Sequence, residues 1–174
     1  DDGLADGVLY YDEDGALQCL ERLTGLEPNN TKWRDALLKR YLAREEFAKA
    51  GPLIRAQVFD EKDPKRKAEL LLRGGVLRRE IGKIDGAVEA LEEAVQLDPS
   101  LVQAWLALQQ IYEEQGQPVK ATEVMVSAAQ NESNRLEKTK LLFRAAERYR
   151  GELERPDRAA ELLAAYFSDE AQIR

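Results

Sequence analysis

The residues best suited to chemistry lie in an acidic stretch near the start of the chain. Asp12 and Asp14 precede Gly15, and Glu21 follows further along. With Gly15 at the sixth place of a calcium-binding loop, the carboxylates of Asp12, Asp14 and Glu21 would take three liganding places. The first place would fall on Tyr10, which offers no carboxylate. We therefore predict instead that Asp14 caps a helix, with acidic residues at the positive end of its dipole.

The sequence contains no histidine, which excludes most catalytic and zinc-binding arrangements. No Ser-His or Cys-His nucleophile pair and no histidine-containing zinc site can form within it. Cys19 is the single cysteine, and its position beside Leu20 and Leu23 favours a buried apolar role over a reactive thiol. The carboxylates are scattered along polar helix faces. We predict that the chain is not an enzyme and uses no metal or cofactor.

The composition is typical of a helical protein. Of the 174 residues, 34% are charged and 44% hydrophobic, with few glycines and prolines. No apolar run reaches the roughly 18 residues that a membrane-spanning helix needs. The net charge of −7 argues against nucleic-acid binding, which depends on an excess of lysine and arginine. Since there is neither a secretory signal nor an initiator methionine, a reducing intracellular compartment is expected, with organellar import left open.

The clearest pattern lies between Val102 and Gln130. Its apolar residues recur at steps of three and four, which places them on one face of a helix. Gly116 and Pro118 interrupt the pattern before it restarts, which predicts two antiparallel helices joined by a short turn. The face residues are Trp105, Leu108, Ile111 and Tyr112 in the first helix and Ala121, Val124, Met125 and Ala128 in the second.

The same pattern occurs one period earlier, between Ala68 and Pro99. Leu71 lies 34 residues before Trp105, and Ala87 lies 34 residues before Ala121. A helix–turn–helix unit with this period resembles the tetratricopeptide repeat (TPR). The resemblance implies an all-α, right-handed superhelical solenoid of stacked antiparallel helix pairs, with about four to five repeats.

The same landmarks divide the rest of the chain. We predict an acidic irregular N-terminal segment over residues 1–14 and a helical repeat domain over residues 15–174. The approximate units are 15–30, 31–64, 68–101, 102–134 and 135–168. The register of the unit at 31–64 stays open by a few residues, and the last unit is longer than the others. The first unit begins partway through, so we expect a piece of a longer array or ends that another subunit covers.

The resemblance also implies a binding groove, lined by the first helix of each unit at the second, fifth, sixth, ninth, twelfth and thirteenth places. In the unit that begins at Ala68 these places hold Glu69, Leu72, Arg73, Val76, Arg79 and Glu80. In the unit that begins at Val102 they hold Gln103, Leu106, Ala107, Gln110, Glu113 and Glu114. Leu72, Val76 and Leu106 are the expected apolar contacts. This mixed wall suits an extended peptide or a helix better than a small molecule.

Family members that bind chaperone tails share a carboxylate clamp, with asparagine at the sixth place of the middle unit and basic residues in its neighbours. Here that place holds Ala107, which cannot hydrogen-bond a carboxylate, and Gln110 follows at the ninth. Arg73 alone does not make a clamp. We therefore do not expect a chaperone-tail adaptor.

One basic concentration occurs in the chain, at Lys62, Lys65, Arg66, Lys67, Arg73, Arg78, Arg79 and Lys83. It could dock an acidic tail or a phosphate. Acidic residues are interleaved with it at ion-pair spacing, so we favour a solvated helix face.

The leading hypothesis is a non-catalytic protein–protein interaction scaffold or assembly subunit, which binds a partner polypeptide through its groove or its ends. The alternative is a helical regulatory or interaction region of a larger enzyme or multi-subunit complex. RNA recognition by helical repeats is disfavoured by the acidic balance.

Overall fold

The computed structural model describes the backbone of residues 12–172 and the side chains of residues 12–168. Within these ranges the chain forms nine α-helices and no strand, as the all-α prediction requires. The helices are α1 (Glu13–Leu26), α2 (Thr31–Ala43), α3 (Phe47–Asp60), α4 (Pro64–Glu80), α5 (Ile84–Leu97), α6 (Val102–Glu114), α7 (Pro118–Asn131), α8 (Arg135–Arg150) and α9 (Pro156–Gln172). The chain divides into two compact units, Asp1–Leu53 and Ile54–Arg174. Of the predicted irregular segment at 1–14, residues 1–11 lie outside the described residues.

In the first unit, α1 begins two residues earlier than predicted. Asp12, not Asp14, is the N-cap, and its carboxylate accepts a hydrogen bond from the Gly15 amide at 2.9 Å. Asp14 lies in the first turn, where its carboxylate pairs with Arg44 at 2.5 Å. The Asp14 prediction is therefore wrong in position, although an acidic residue does cap this helix.

The prediction that Cys19 is buried is also wrong, because its thiol is exposed. The helix buries Leu17 instead. Two residues along an α-helix point in nearly opposite directions, so burial of Leu17 turns Cys19 outwards. Leu20 and Leu23, which led to the prediction, are only half-buried.

The second unit contains the helix pairs α4–α5, α6–α7 and α8–α9, in which each helix packs against the next. The turns of the first two pairs contain Gly82 and Gly116, which have positive φ angles of 73° and 66°. Only glycine adopts this conformation without a steric cost, so each glycine ends one helix and reverses the chain. The two glycines lie 34 residues apart, which matches the repeat period.

The predicted core of these pairs is confirmed. Ala87 and Ala121 are completely buried where paired helices approach each other. Trp105 is half-buried and packs against two apolar clusters of this unit, and its indole N–H donates to the Pro99 carbonyl at 2.9 Å. A close approach occurs at Gly75 of α4, where an added Cβ would lie 2.7 Å from Leu91 Cγ of α5. Small residues therefore set the spacing of the pairs, and large ones fill the space between pairs.

Candidate partner-binding face

All twelve predicted groove residues are accessible on the solvent side of α4 and α6. Leu72, Arg79 and Ala107 are half-buried, and the other nine are exposed. The intervening places are buried, as at Leu71 and Leu108, or half-buried. The helical period therefore separates a core side from a free side on both helices. Partner binding by these twelve residues stays a prediction.

A third helix, α8, continues this face. The Asp63 side chain caps α4 by accepting hydrogen bonds from the backbone amides two and three residues later, at 2.8 and 3.1 Å. The Asn134 side chain caps α8 in the same way, at 3.0 and 3.2 Å. The two caps are 71 residues apart, which gives the register of α8 against α4. In this register Lys140, Phe143, Arg144 and Glu147 correspond to Glu69, Leu72, Arg73 and Val76. All four α8 side chains are exposed.

These α8 residues are not predicted by the 34-residue period because the last unit is longer. The matching pair of helix caps was the signal that could have found them. Capping residues mark where a helix begins, so they keep the register when loops differ in length.

Three apolar side chains lie at the same repeat place on the three helices, and we call Leu72, Leu106 and Phe143 the apolar row. Leu106 is 39% exposed and Phe143 is 41% exposed, and Val76 on α4 is also 39% exposed. The Phe143 ring packs edge-on against the Phe167 ring, with centroids 6.4 Å apart. Large apolar side chains grouped on an accessible face are a common feature of binding surfaces.

The charges beside the apolar row are unevenly paired. Arg79 pairs with Glu80 at 3.1 Å, and Glu114 accepts from the Gln110 amide at 3.1 Å. Arg73 and Arg144 make no ion pair or hydrogen bond with the described residues. Lys140, like Arg79, is paired, with Glu137 at 2.7 Å. Arg73 and Arg144 are therefore the cations of this face that are available to acidic groups from outside.

Glu113 of α6 is bound by Arg148 of α8. The guanidinium donates to both carboxylate oxygens of Glu113, one of them at 3.1 Å, and also to Glu152 at 3.0 Å. The hydrogen bond from Arg148 is the main reason that the pKa of Glu113 lies below its usual range. A two-pronged contact of this kind restricts orientation as well as distance. It therefore ties α6 to α8 at one end of the face.

The family comparison agrees with this geometry. Residues 75–116 match the family model described as TPR repeat. This segment is therefore a tetratricopeptide-repeat segment. No curated protein matches the sequence.

Solved TPR-like structures share the fold. One titled as the crystal structure of MamA has a TM-score of 0.63 and 20% identity, covering 92% of this chain and 90% of that one. A double mutant, MamA RS-1 ArsTM, has a TM-score of 0.61 and 18% identity, covering 92% and 86%. A putative kinesin light chain with TPR-like repeats from Podosopora anserina has a TM-score of 0.59 and 18% identity, covering 93% and 89%. At such identities the likeness shows the solenoid fold of the TPR family alone.

At the sixth TPR place, the three helices hold Arg73, Ala107 and Arg144. The 34-residue period assigns only Arg73 and Ala107 to this place, because it does not give the register of α8. The structure adds a second exposed arginine on the other side of Ala107. Ala107 still offers no hydrogen bond, so the middle helix contributes contact area and no polar group at this place.

The three carboxylates considered as calcium ligands each contact a different group of the protein. They do not meet: Asp12 caps α1, Asp14 pairs with Arg44, and Glu21 accepts from the Tyr41 hydroxyl at 2.7 Å. Among the described residues, no group of three or more metal-ligating side chains is found. No described helix has the length and apolar character needed to span a bilayer.

The basic concentration around α4 is partly consumed by contacts within the protein. Lys67 lies 3.7 Å from Glu93 of α5, and the Arg78 guanidinium donates to the Gly86 carbonyl at 3.3 Å. The exposed basic side chain of α4 that faces the same way as the apolar row is Arg73.

Proposed function

We propose that this protein is a non-catalytic scaffold that binds a partner polypeptide across the first helices of its repeats, α4, α6 and α8. The observation that supports this most directly is the apolar row, in which Leu106 and Phe143 are exposed and Leu72 is half-buried on the first helices of three successive pairs. Arg73 and Arg144 flank the row and can pair with acidic groups of the partner. A ligand that meets all of these contacts carries apolar and acidic side chains in alternation.

The dimensions of the face fit a polypeptide. The row runs over three first helices, of which α4 contacts α6 and α6 is joined to α8 by the Arg148–Glu113 pair. An extended chain rises about 3.3 Å per residue, so several residues are needed to cross three helices. A small molecule would contact one helix or two. The sequence has no histidine, and the ionisable groups beside the row are arginines and glutamates, which suit binding better than proton transfer.

Site-specific photo-crosslinking tests the proposal. A photoreactive phenylalanine analogue replaces Gln110, which lies on the α6 face, and in a control it replaces Gln96, an exposed residue of α5. We expect a covalent adduct with a polypeptide from position 110 and none from position 96. Equal adducts from both positions, or none from position 110, would contradict the proposal.

The contribution of the apolar row is tested in the same cross-linking variant. Leu106→Asp is expected to remove the adduct, because a carboxylate would have to be desolvated against an apolar ligand group. Phe59→Asp is the matched control, since Phe59 is a highly exposed apolar residue of α3. The control should leave the adduct unchanged.

A further inference from the structure

One arrangement of three side chains occurs twice in the protein. In the first unit the Tyr41 hydroxyl of α2 donates to Glu21 of α1 at 2.7 Å, and the Lys49 ammonium of α3 lies 5.3 Å from the centre of the Tyr41 ring. We call this arrangement a tyrosine seat. The tyrosine comes from one helix, the carboxylate from the helix before it, and the cation from the helix after it.

The second tyrosine seat lies in the second unit. The Tyr112 hydroxyl of α6 donates to Glu92 of α5 at 3.2 Å, and the Lys120 ammonium of α7 lies 5.4 Å from the ring centre. Each of the three residues is 71 positions after its counterpart in the first seat. The geometry is therefore reproduced by residues of the same type, and in both seats the tyrosine hydroxyl donates to a carboxylate.

The third seat lacks its carboxylate. Tyr149 of α8 corresponds to Tyr112, and Arg158 of α9 lies where the cation is expected. The place of Glu92, one repeat later on α7, holds Val126. Val126 packs against Tyr149, so the helix supplies an apolar side chain at the position of the acid.

Tyr149 is 9% exposed as a residue, and its hydroxyl makes no hydrogen bond with the described residues. The hydroxyl is not one of the fully buried unpaired polar atoms, so it remains accessible to a ligand. Tyr149, Val126 and Arg158 all line one cavity of about 380 Å³, so the hydroxyl has an open space in which a partner can be placed.

The charges around this cavity include cations that are available to an anion. Arg155 makes no ion pair with the described residues, and Arg158 pairs with Glu161 at 3.2 Å in a solvated contact. Glu123 also lines the cavity without bonding to Tyr149. Burial raises the pKa of Tyr149 and Glu123 raises it further, whereas the two arginines lower it. The start of α9 adds the positive end of a helix dipole.

We propose that this cavity binds a carboxylate from a partner polypeptide, which takes the place that Glu21 and Glu92 occupy in the other two seats. The carboxylate accepts a hydrogen bond from Tyr149 and pairs with Arg155 and Arg158. It comes either from an aspartate or glutamate side chain or from a chain terminus. This site uses none of the residues of the apolar row and does not depend on the function proposed above.

Nuclear magnetic resonance titration of the whole chain tests the site with small probes at constant ionic strength. N-acetyl-glutamic acid α-amide presents a side-chain carboxylate, N-acetyl-alanine presents a terminal one, and N-acetyl-glutamine amide is the neutral control. We expect saturable shifts of the Tyr149 ring and of the Arg155 and Arg158 side-chain N–H signals with at least one acid. The acid that saturates at the lower concentration identifies the source. Linear shifts for both acids, or equal binding of the neutral amide, would overturn the proposal.

Three variants connect the binding to the seat. Tyr149→Phe should weaken binding about tenfold, because it removes one hydrogen bond to a charged group. Val126→Glu should abolish binding, because it restores the internal carboxylate. Glu92→Val should create a second binding site at Tyr112, which in the natural protein does not respond.

The last two variants separate a loss of binding from a loss of folding. A Val126→Glu protein with unchanged circular dichroism that still binds the acids would overturn the proposal. Glu92→Val gives the answer independently, because it predicts a gain of saturable shifts at Tyr112. Absence of that gain in a folded variant would show that the seat does not itself recognise carboxylates.

Discussion

Gly75→Ala is expected to destabilise the protein, although alanine is the better helix former. Gly75 lies within α4 and faces α5. A Cβ atom added there would lie 2.7 Å from Leu91 Cγ and 3.2 Å from the Ala87 carbonyl oxygen. Leu91 is completely buried, so its side chain has no free space into which it can move. The added methyl group must therefore push α4 and α5 apart.

The neighbouring glycine supplies the matched control. A Cβ atom added at Gly74 meets only Ile54 Cγ2 at 3.3 Å, apart from a more distant arginine group. Both substitutions gain about 1 kcal/mol of helix propensity. Only Gly75→Ala also carries an overpacking cost of about 1–3 kcal/mol. Gly75→Ala should therefore be about 2 kcal/mol less stable than Gly74→Ala.

Urea unfolding followed by circular dichroism measures the difference between the two variants. A double variant that also carries Leu91→Ala tests the cause. Leu91→Ala alone should cost about 2–5 kcal/mol, and the combined cost should be smaller than the sum, since the new methyl group occupies part of the cavity. Equal stability of the two glycine variants, or additive costs in the double variant, would refute the packing argument.

Three further expectations follow from single side chains. Trp105→Ala should cost about 3 kcal/mol in thermal or urea unfolding, at the lower end for a tryptophan because Trp105 is only half-buried. The pKa of Glu113 is depressed in the folded state, so its ion pair contributes stability above the ordinary glutamate pKa and loses it as the pH falls through the folded value. The stability difference between the natural protein and Glu113→Gln should therefore shrink on acidification, and a difference independent of pH would contradict this. Cys19 should react with a maleimide in the native protein, and Cys19→Ser should change stability by no more than about 0.5 kcal/mol; protection of the thiol until unfolding would show that it is buried.

The sequence was sufficient for the helix pairs and their core because two adjacent units share one period. Ala87 and Ala121 could be assigned to the helix–helix contact from their spacing alone, and both are fully buried. The contribution of α8 to the face was not predictable from that period, because the last unit is longer. The helix caps of α4 and α8 give the register that assigns Phe143 and Arg144 to this face.

The errors near the start of the chain have a local cause. Asp12 and Asp14 are both good capping residues, and composition does not decide which of them accepts the amide hydrogen bond. Cys19 follows the buried Leu17 by two residues, which is more than half a turn of the helix, so the half-buried Leu20 and Leu23 were a poor guide to its burial. The tyrosine seats did leave a signal, since Tyr41 and Tyr112 recur with their acids and lysines at one spacing of 71 residues.

Both proposed binding regions present cations, although the chain carries a net charge of −7. The structure reconciles these facts, because part of the acidic complement is bound within the protein. Glu21 and Glu92 are held by tyrosine hydroxyls, and Glu113 is held by Arg148. At physiological salt, charges further apart than about 8 Å are largely screened, so the net charge matters less to a ligand than the groups it contacts. Where the internal acid is missing, as beside Tyr149, the same local chemistry is left open for an acid from outside.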